Sequence, residues 1–381
     1  AHLVGSMCSR SHRHMTLRRA LAALACCLSL APARAAPAQP PDLGPAGRVE
    51  LHVHLDGALS TEELYRPCVE RRIALPGGVP RSPDDVARYI GAHLGWRRFD
   101  AVNEILGGDV ATIRGAAEAF VAAQARHGVV YSEVRSDPVR LSRSSLRGVS
   151  IPWEAAVAAV ETGLAAGSAV HGVAAYQILC AMRGQSAAQC RDVAGLAART
   201  ASRRMGGVVA MDLAGDESHF PNAAYVGCLR AAKLELGLNT TVHAGEFGDT
   251  SPEEVRSAVL EMGADRIGHG YAAASDDGIL ALLRSRRVHL EICPASARSH
   301  GQSSFDAIRR FRELGLSVGL NTDDPASPFE NTTLAEVERL ARQELGFAPE
   351  DVRRAYDAAL AAAFGPAAAE LLAAPRAEVV V

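Results

Sequence analysis

The sequence predicts an α/β fold, a single TIM-type (β/α)8 barrel, on three observations. After residue 48, short apolar runs alternate with Ala-rich segments of helical pattern, and strand-helix alternation implies parallel strands joined by right-handed crossovers. About eight such units occupy roughly 330 residues, which suits one closed barrel. The turn after the first strand, Gly57-Ala58-Leu59, lacks the G-x-G-x-x-G expected of a doubly wound nucleotide-binding sheet.

Taken in order, the strands are expected at 49–56, 129–137, 170–182, 208–216, 239–246, 266–271, 288–294 and 316–323. Helical patterns fall near 109–127, 152–166, 186–204, 222–236, 252–262, 276–286 and 303–314. A helical insertion, 61–108, follows the first strand, with one helix near 61–72 and more helix around 83–106. Extra C-terminal helices are expected near 334–346 and 350–373. The only Pro-rich linker lies at 37–45, which divides the chain into a leader and linker over 1–47 and a barrel over 48–381.

The leader differs in kind from the rest. Its first 41 residues hold no Asp or Glu, but they hold Arg10, Arg13, Arg18, Arg19 and Arg34 and an apolar run over 20–30. Met15, the Arg18-Arg19 pair, that run and Ala33-Arg34-Ala35 match a secretory signal cleaved near Ala35, so a secreted or lumenal mature chain is expected. Organelle transit peptides are also Arg-rich and acid-free, and a plain tail would leave the chain in the cytoplasm. The run is too short to span a bilayer, so no transmembrane segment is expected in the mature chain. Without the leader arginines, 43 acidic residues outnumber 35 basic ones, a net charge of −8 that excludes a nucleic-acid-binding surface. Beyond the leader stand Cys68, Cys180, Cys190, Cys228 and Cys293, with no regular spacing; Cys180 and Cys190 could pair in an oxidising compartment.

The active site of such a barrel sits at the C-terminal strand ends. Here five ends carry polar chemistry: His52-Val53-His54-Leu55-Asp56, Asp212 to Glu217, His243-Ala244-Gly245-Glu246, Gly268-His269-Gly270 and Asn321-Thr322-Asp323-Asp324-Pro325. Side chains two apart on a strand share a face, so His52 and His54 point together, with Asp56 next in line. Three neutral imidazoles and one carboxylate suit Zn2+, and His52, His54, His243 and Asp323 supply that shell with room for a water. Binuclear hydrolases of this type bridge their metals with a lysine at a strand end. The sole lysine, Lys233, lies within a predicted helix, so one zinc per chain is expected.

Glu246 leaves the fifth strand three residues after His243, where it can shuttle protons or merely begin a helix. His269 can hydrogen-bond the attacking hydroxide or pack as a core histidine. Asp324 can accept from a substrate or simply make the turn before Pro325. Gly215 permits close approach of a ligand to the backbone, or a tight turn.

The motifs H-V-H-L-D-G, Y-S-E-V-R-S-D-P, D-L-A-G-D-E, V-H-A-G-E, R-I-G-H-G and L-N-T-D-D-P, in this order, resemble the adenosine deaminase family over roughly residues 48–373. The resemblance implies zinc-dependent hydrolysis of adenosine and 2′-deoxyadenosine to inosine and 2′-deoxyinosine, with release of ammonia. It implies that His52, His54, His243 and Asp323 hold zinc and that Glu246 protonates purine N1 as hydroxide attacks C6. It further implies that His269 orients the hydroxide, Asp324 meets N7, the Gly215 backbone meets N3, and Asp56, beside His54, binds the sugar 5′-hydroxyl. The H-x-E…P-C-x-x-C signature of the other zinc deaminases is absent. Relatives acting on adenine carry Glu at position 56, and N6-methyl-AMP deaminases carry Asn, so Asp56 favours a nucleoside. The family pattern of Ser-Asn or Ser-Ser after Cys-Pro is replaced by Cys293-Pro294-Ala295-Ser296-Ala297-Arg298, which places Arg298 as a determinant of preference. Trp96 and Phe99 resemble the family's apolar lid. The alternatives are a deaminase of adenine or of a modified adenine nucleoside, or a secreted nucleoside-binding signalling protein.

Overall fold

A computed structural model of the chain describes residues 47–373, apart from 248, 249 and 327; the leader lies outside the described residues. Eight parallel strands form one sheet in sequence order. They are β1 (Arg48–His54), β2 (Val129–Ser136), β3 (Ala174–Met182), β4 (Val208–Ala214), β5 (Thr240–Ala244), β6 (Arg266–His269), β7 (His289–Ile292) and β8 (Val318–Leu320). The sheet closes on itself just past β8, where a parallel bridge joins Val53 to Asp323. The His54 amide donates to the Asp323 carbonyl at 3.0 Å and the Asp323 amide to the His52 carbonyl at 3.1 Å. The (β/α)8 expectation therefore holds, and closure itself brings the first and last metal-ligand candidates together.

The strands are buried on nearly every residue because a parallel sheet is covered on both faces: Leu51, Val53, Ile178, Met211, Ile267 and Leu290 are fully buried, and so are charged residues such as Glu133, Arg135 and Glu291. The insertion after β1 holds three helices, Thr61–Glu70, Pro83–Gly91 and Arg97–Leu106. The first begins with a capping box, in which the Glu63 amide donates to Ser60 Oγ and the Ser60 amide to Glu63 Oε2. Helices Leu334–Glu344, Pro349–Ala362 and Ala367–Ala373 complete the C-terminus.

Two expectations need correction. The third strand does not begin at 170, because helix Trp153–His171 runs on to Gly172, whose left-handed φ of 74° ends it. Val170, apolar and read as strand, is an exposed helical residue. Nor does Cys180 pair with Cys190. Cys190, on helix Ala187–Thr200, is disulfide-bonded to Cys228, on helix Val226–Leu234, with Cα atoms 6.1 Å apart. Cys180 is a free thiol on β3, its sulfur 3.7 Å from Asp212 Oδ2. A strand side chain turned into the barrel cannot reach a helix packed outside it.

Candidate active site and metal centre

Strand alternation sends His52 and His54 into the mouth of the barrel, where they meet His243 from β5 and Asp323 from the turn after β8. His54 Nε2 lies 3.2 Å from His243 Nε2 and 3.5 Å from Asp323 Oδ1; His52 Nε2 lies 3.3 Å from the same oxygen. Tetrahedral ligands at about 2.0–2.1 Å from a zinc stand about 3.3 Å from one another, so these separations are edges of such a shell. The fit also rests on His52 Nε2, which is buried with no hydrogen-bond partner. The donor atoms of His52, His243, His269 and Asp323 also lie within 4.8 Å of one another. His269 Nε2 is further out, 3.9 Å from Asp323 Oδ2 and 3.7 Å from Glu246 Oε1. This separates His269, beside the carboxyl of Glu246, from the tighter group of four.

The backbone is shaped to deliver these groups. Asp323 and His269 both sit at φ 64°, a left-handed conformation uncommon outside glycine. Gly268 pairs with His243 in the sheet, and a Cβ there would lie 2.9 Å from His52 Cε1, so only glycine leaves room for that imidazole. A Cβ on Gly57 would overlap Asp324 Oδ1, so Gly57 lets that carboxyl fold over the first turn. Gly215 adopts φ 105°, presenting its backbone to the cavity.

The outer nitrogens of two imidazoles are held by buried carboxylates. His52 Nδ1 lies 2.7 Å from Glu291 Oε2, and His243 Nδ1 lies 3.2 Å from Asp212 Oδ1. Arg135, fully buried, donates to both carboxylates, at 2.7 Å to Glu291 and 2.9 Å to Asp212. Arg266 binds the other oxygen of Glu291 at 2.6 Å. Such outer partners fix which ring nitrogen faces a metal. Burial holds His54 and His269 well below the ordinary imidazole range, so both are neutral. Burial, with Asp323 and Glu217 facing it, holds the Glu246 carboxyl well above its ordinary range. Burial and Asp323 do the same for Asp324. Two acids that can donate protons thus stand beside neutral imidazoles.

All the predicted site residues except His52, which lies beneath, line one cavity: His54, Asp56, Gly215, His243, Glu246, His269, Asp323 and Asp324. Trp96 and Phe99 line the same cavity; Phe99 also stacks on Phe329 at 4.6 Å. Asp56 Oδ2 accepts from Asn103 Nδ2 at 2.6 Å, and burial raises its pKa. Lys233, in the last turn of its helix, pairs with Asp265, which lies just before β6 and binds the amide of Thr240 at the start of β5, away from this group. Arg298 turns outward to Glu344. It still lines, with His300, a neighbouring cavity that Glu246, Asp323 and Asp324 also border, and His300 comes nearer, its Nε2 3.8 Å from Glu246 Oε1 at the end of helix Pro294–His300. Sequence alone assigns no role to Glu291, Arg135 or His300, and none to Glu217 beyond its place at a polar strand end. The signal for Glu291 and Arg135 was a charge within a strand of a sheet covered on both faces, which demands a buried partner.

The family profile described as adenosine deaminase matches residues 47–373. The chain belongs to the adenosine deaminase family. It is 33% identical over 327 residues to the adenosine deaminase of Mus musculus, covering 81% of this chain and 89% of that one. It is 34% identical over 289 residues to that of Enterococcus faecalis, covering 73% and 80%. Among solved structures it resembles an amidohydrolase from Burkholderia ambifaria with bound zinc, at TM-score 0.72 and 23% identity, covering 86% and 88%. It also resembles an N6-methyl-AMP deaminase from Arabidopsis thaliana, at TM-score 0.69 and 25% identity, covering 85% and 94%. As a family member the chain is an enzyme, a hydrolytic purine deaminase with a single zinc site, to which the buried His/Asp group conforms.

Proposed function

We propose that this chain hydrolyses adenosine and 2′-deoxyadenosine to inosine and 2′-deoxyinosine, releasing ammonia. The observation that carries the substrate is Asp56, a buried carboxyl anchored by Asn103 in the cavity that Trp96, Phe99 and Glu246 also line. A carboxyl there answers a sugar hydroxyl, which free adenine lacks.

His52, His54, His243 and Asp323 would hold the zinc. When bound, the metal supplies a water made nucleophilic at neutral pH. The chain's own groups do the rest. Glu246, kept protonated by burial, donates to purine N1 while water adds at C6, so the ring nitrogen gains the proton as C6 loses its aromatic bonding. His269 and Asp323 orient the attacking water by hydrogen bonds. Asp324, also protonated, donates to N7, and the Gly215 N–H donates to N3. One water proton restores the Glu246 carboxyl; the C6–N6 bond then breaks, the other water proton leaves with the amine as ammonia, and the oxygen remains on C6. Trp96 and Phe99 exclude bulk water from this step.

The test is a substrate panel on zinc-replete protein: adenosine, 2′-deoxyadenosine, adenine and N6-methyl-AMP. The reading expects the two nucleosides to turn over fastest; adenine outpacing adenosine would reject it. Export is proposed as well. The Cys190–Cys228 disulfide supports an oxidising compartment, in keeping with the signal-like pattern of the leader.

A further inference from the structure

Strand β5 pairs with β4 only as far as Leu213 opposite Val242. Beyond that point, the segment from His243 to Glu246 has lost its β4 neighbour. On the β6 side the pairing runs on, with the Gly270 amide donating to the Ala244 carbonyl and the Ala272 amide to the Gly245 carbonyl. On the open side, two side chains take the place of a strand. Arg183, just after β3, donates from Nη2 to the His243 carbonyl at 2.6 Å. Glu217, just after β4, accepts the Gly245 amide at 2.9 Å and the Glu246 amide at 3.2 Å.

We infer that Arg183 and Glu217 form a clamp of positioning residues that sets the reach of the proton donor Glu246 relative to His243, four residues of chain gripped by one cation and one anion. The inference rests on the proposed role of Glu246. Neither side chain lines the reaction cavity, and both are buried, 0% and 1% exposed, with Arg183 Nη2 and Glu217 Oε1 4.0 Å apart. The cation is itself fixed, donating to the Phe220 carbonyl at 2.8 Å and to Asn222 Oδ1 at 2.7 Å. The anion is the better suited of the two to steer Glu246, because its carboxylate takes two successive amides at once, Oε2 accepting both and Oε1 sharing the first, and charge-assisted bonds of this kind are stronger than neutral ones. The turn it grips depends on Gly245 at φ 69°, where a Cβ would lie 2.7 Å from Val255 Cγ2. A glycine leaves the turn loose unless something outside it is fixed, and Glu217 is that fixture.

The experiment is Glu217→Gln in the full zinc-loaded chain, with kcat, KM for adenosine, zinc content and melting temperature measured together. The side chain keeps its shape, but its neutral amide must turn one N–H group toward an amide or toward Arg183. The clamp predicts that kcat falls by roughly 10²-fold, the scale of a 1 Å misplacement of a reacting group. KM and zinc content should stay as in the parent, because neither the nucleoside contacts nor the metal ligands are touched. Glu217→Asp keeps the charge and shortens the reach, and should show a smaller kcat loss with the same split; it also carries the test should Gln fail to fold. An unchanged kcat overturns the clamp. So does a loss of kcat in step with zinc content, which would mark a structural role alone. A parent protein that does not deaminate adenosine overturns the proposed function instead, and the clamp's stated purpose with it.

Discussion

Glu291 Oε2 sits 2.7 Å from His52 Nδ1, at the bottom of the barrel mouth, and both side chains are fully buried. Arg135 and Arg266 hold Glu291 well below the ordinary carboxylate range against the cost of its burial, so it is an anion and His52 Nδ1 carries the hydrogen. Nε2 is thereby left as a lone-pair donor towards Asp323 and the zinc position. Glu291→Gln should therefore weaken zinc binding about 10- to 100-fold, read by competition with a chelator rather than by activity. Unchanged zinc affinity would show that the pair serves folding alone.

Gly57 and Asp324 are similarly coupled. Gly57→Ala places a methyl where Asp324 Oδ1 lies, so the carboxyl must swing away from the N7 position. The expected result is a fall in kcat/KM for adenosine of roughly 10²-fold with zinc content retained. Steady-state kinetics of the variant decide it, and parental kcat/KM would remove Asp324 from the substrate contacts.

Asp137, buried after β2, gives a pH prediction. Burial raises its carboxyl to about 6, partly offset by Arg140. The folded chain therefore binds this proton more tightly than the unfolded chain. Its contribution to stability is full below about pH 4 and is lost as pH rises through about 6. Asp137→Asn retains an oxygen to cap the Val139 amide, which Asp137 binds at 2.8 Å, but does not ionise. The variant's advantage in unfolding free energy over the parent should grow across that window, by at most about 3 kcal/mol. Denaturant titrations at several pH values measure it; a difference independent of pH contradicts the burial argument.

The Cys190–Cys228 bridge ties together the helices that follow β3 and β4, closing 38 residues of chain. Cys228→Ser, or reduction of the parent, should lower unfolding free energy by roughly 2–4 kcal/mol. Alkylation and mass analysis of the protein secreted by an expression host should find Cys68, Cys180 and Cys293 modified only after unfolding, and Cys190 and Cys228 only after reduction.

Much of this was legible in the chain. Strand period placed His52 and His54 on one face, and the remaining ligand candidates lie at or just past the ends of their own strands. What escaped reading was whatever depends on closure and packing. Glu291 sits in His-Leu-Glu-Ile, where sequence alone shows a charge in an apolar strand but not the two arginines, from β2 and β6, that neutralise it. The disulfide was misassigned because Cys180 and Cys190 are near in sequence but separated by the wall of the barrel, whereas Cys190 and Cys228 share an inter-helix surface. Val170 shows the same limit locally. Its apolar side chain suited a strand, and only Gly172, as the helix stop, decides otherwise. His300 came into the site because residues 294–300 form a helix rather than a loop, which turns Arg298 out and His300 in.

The central claim is that one zinc, held by His52, His54, His243 and Asp323, serves the hydrolysis of adenosine. Its most direct test is titration of metal-free protein with zinc while inosine formation from adenosine is followed. The account predicts a rate that rises with zinc and saturates at one equivalent per chain. Full activity without metal, saturation at two equivalents, or no inosine from the zinc-replete protein would contradict it.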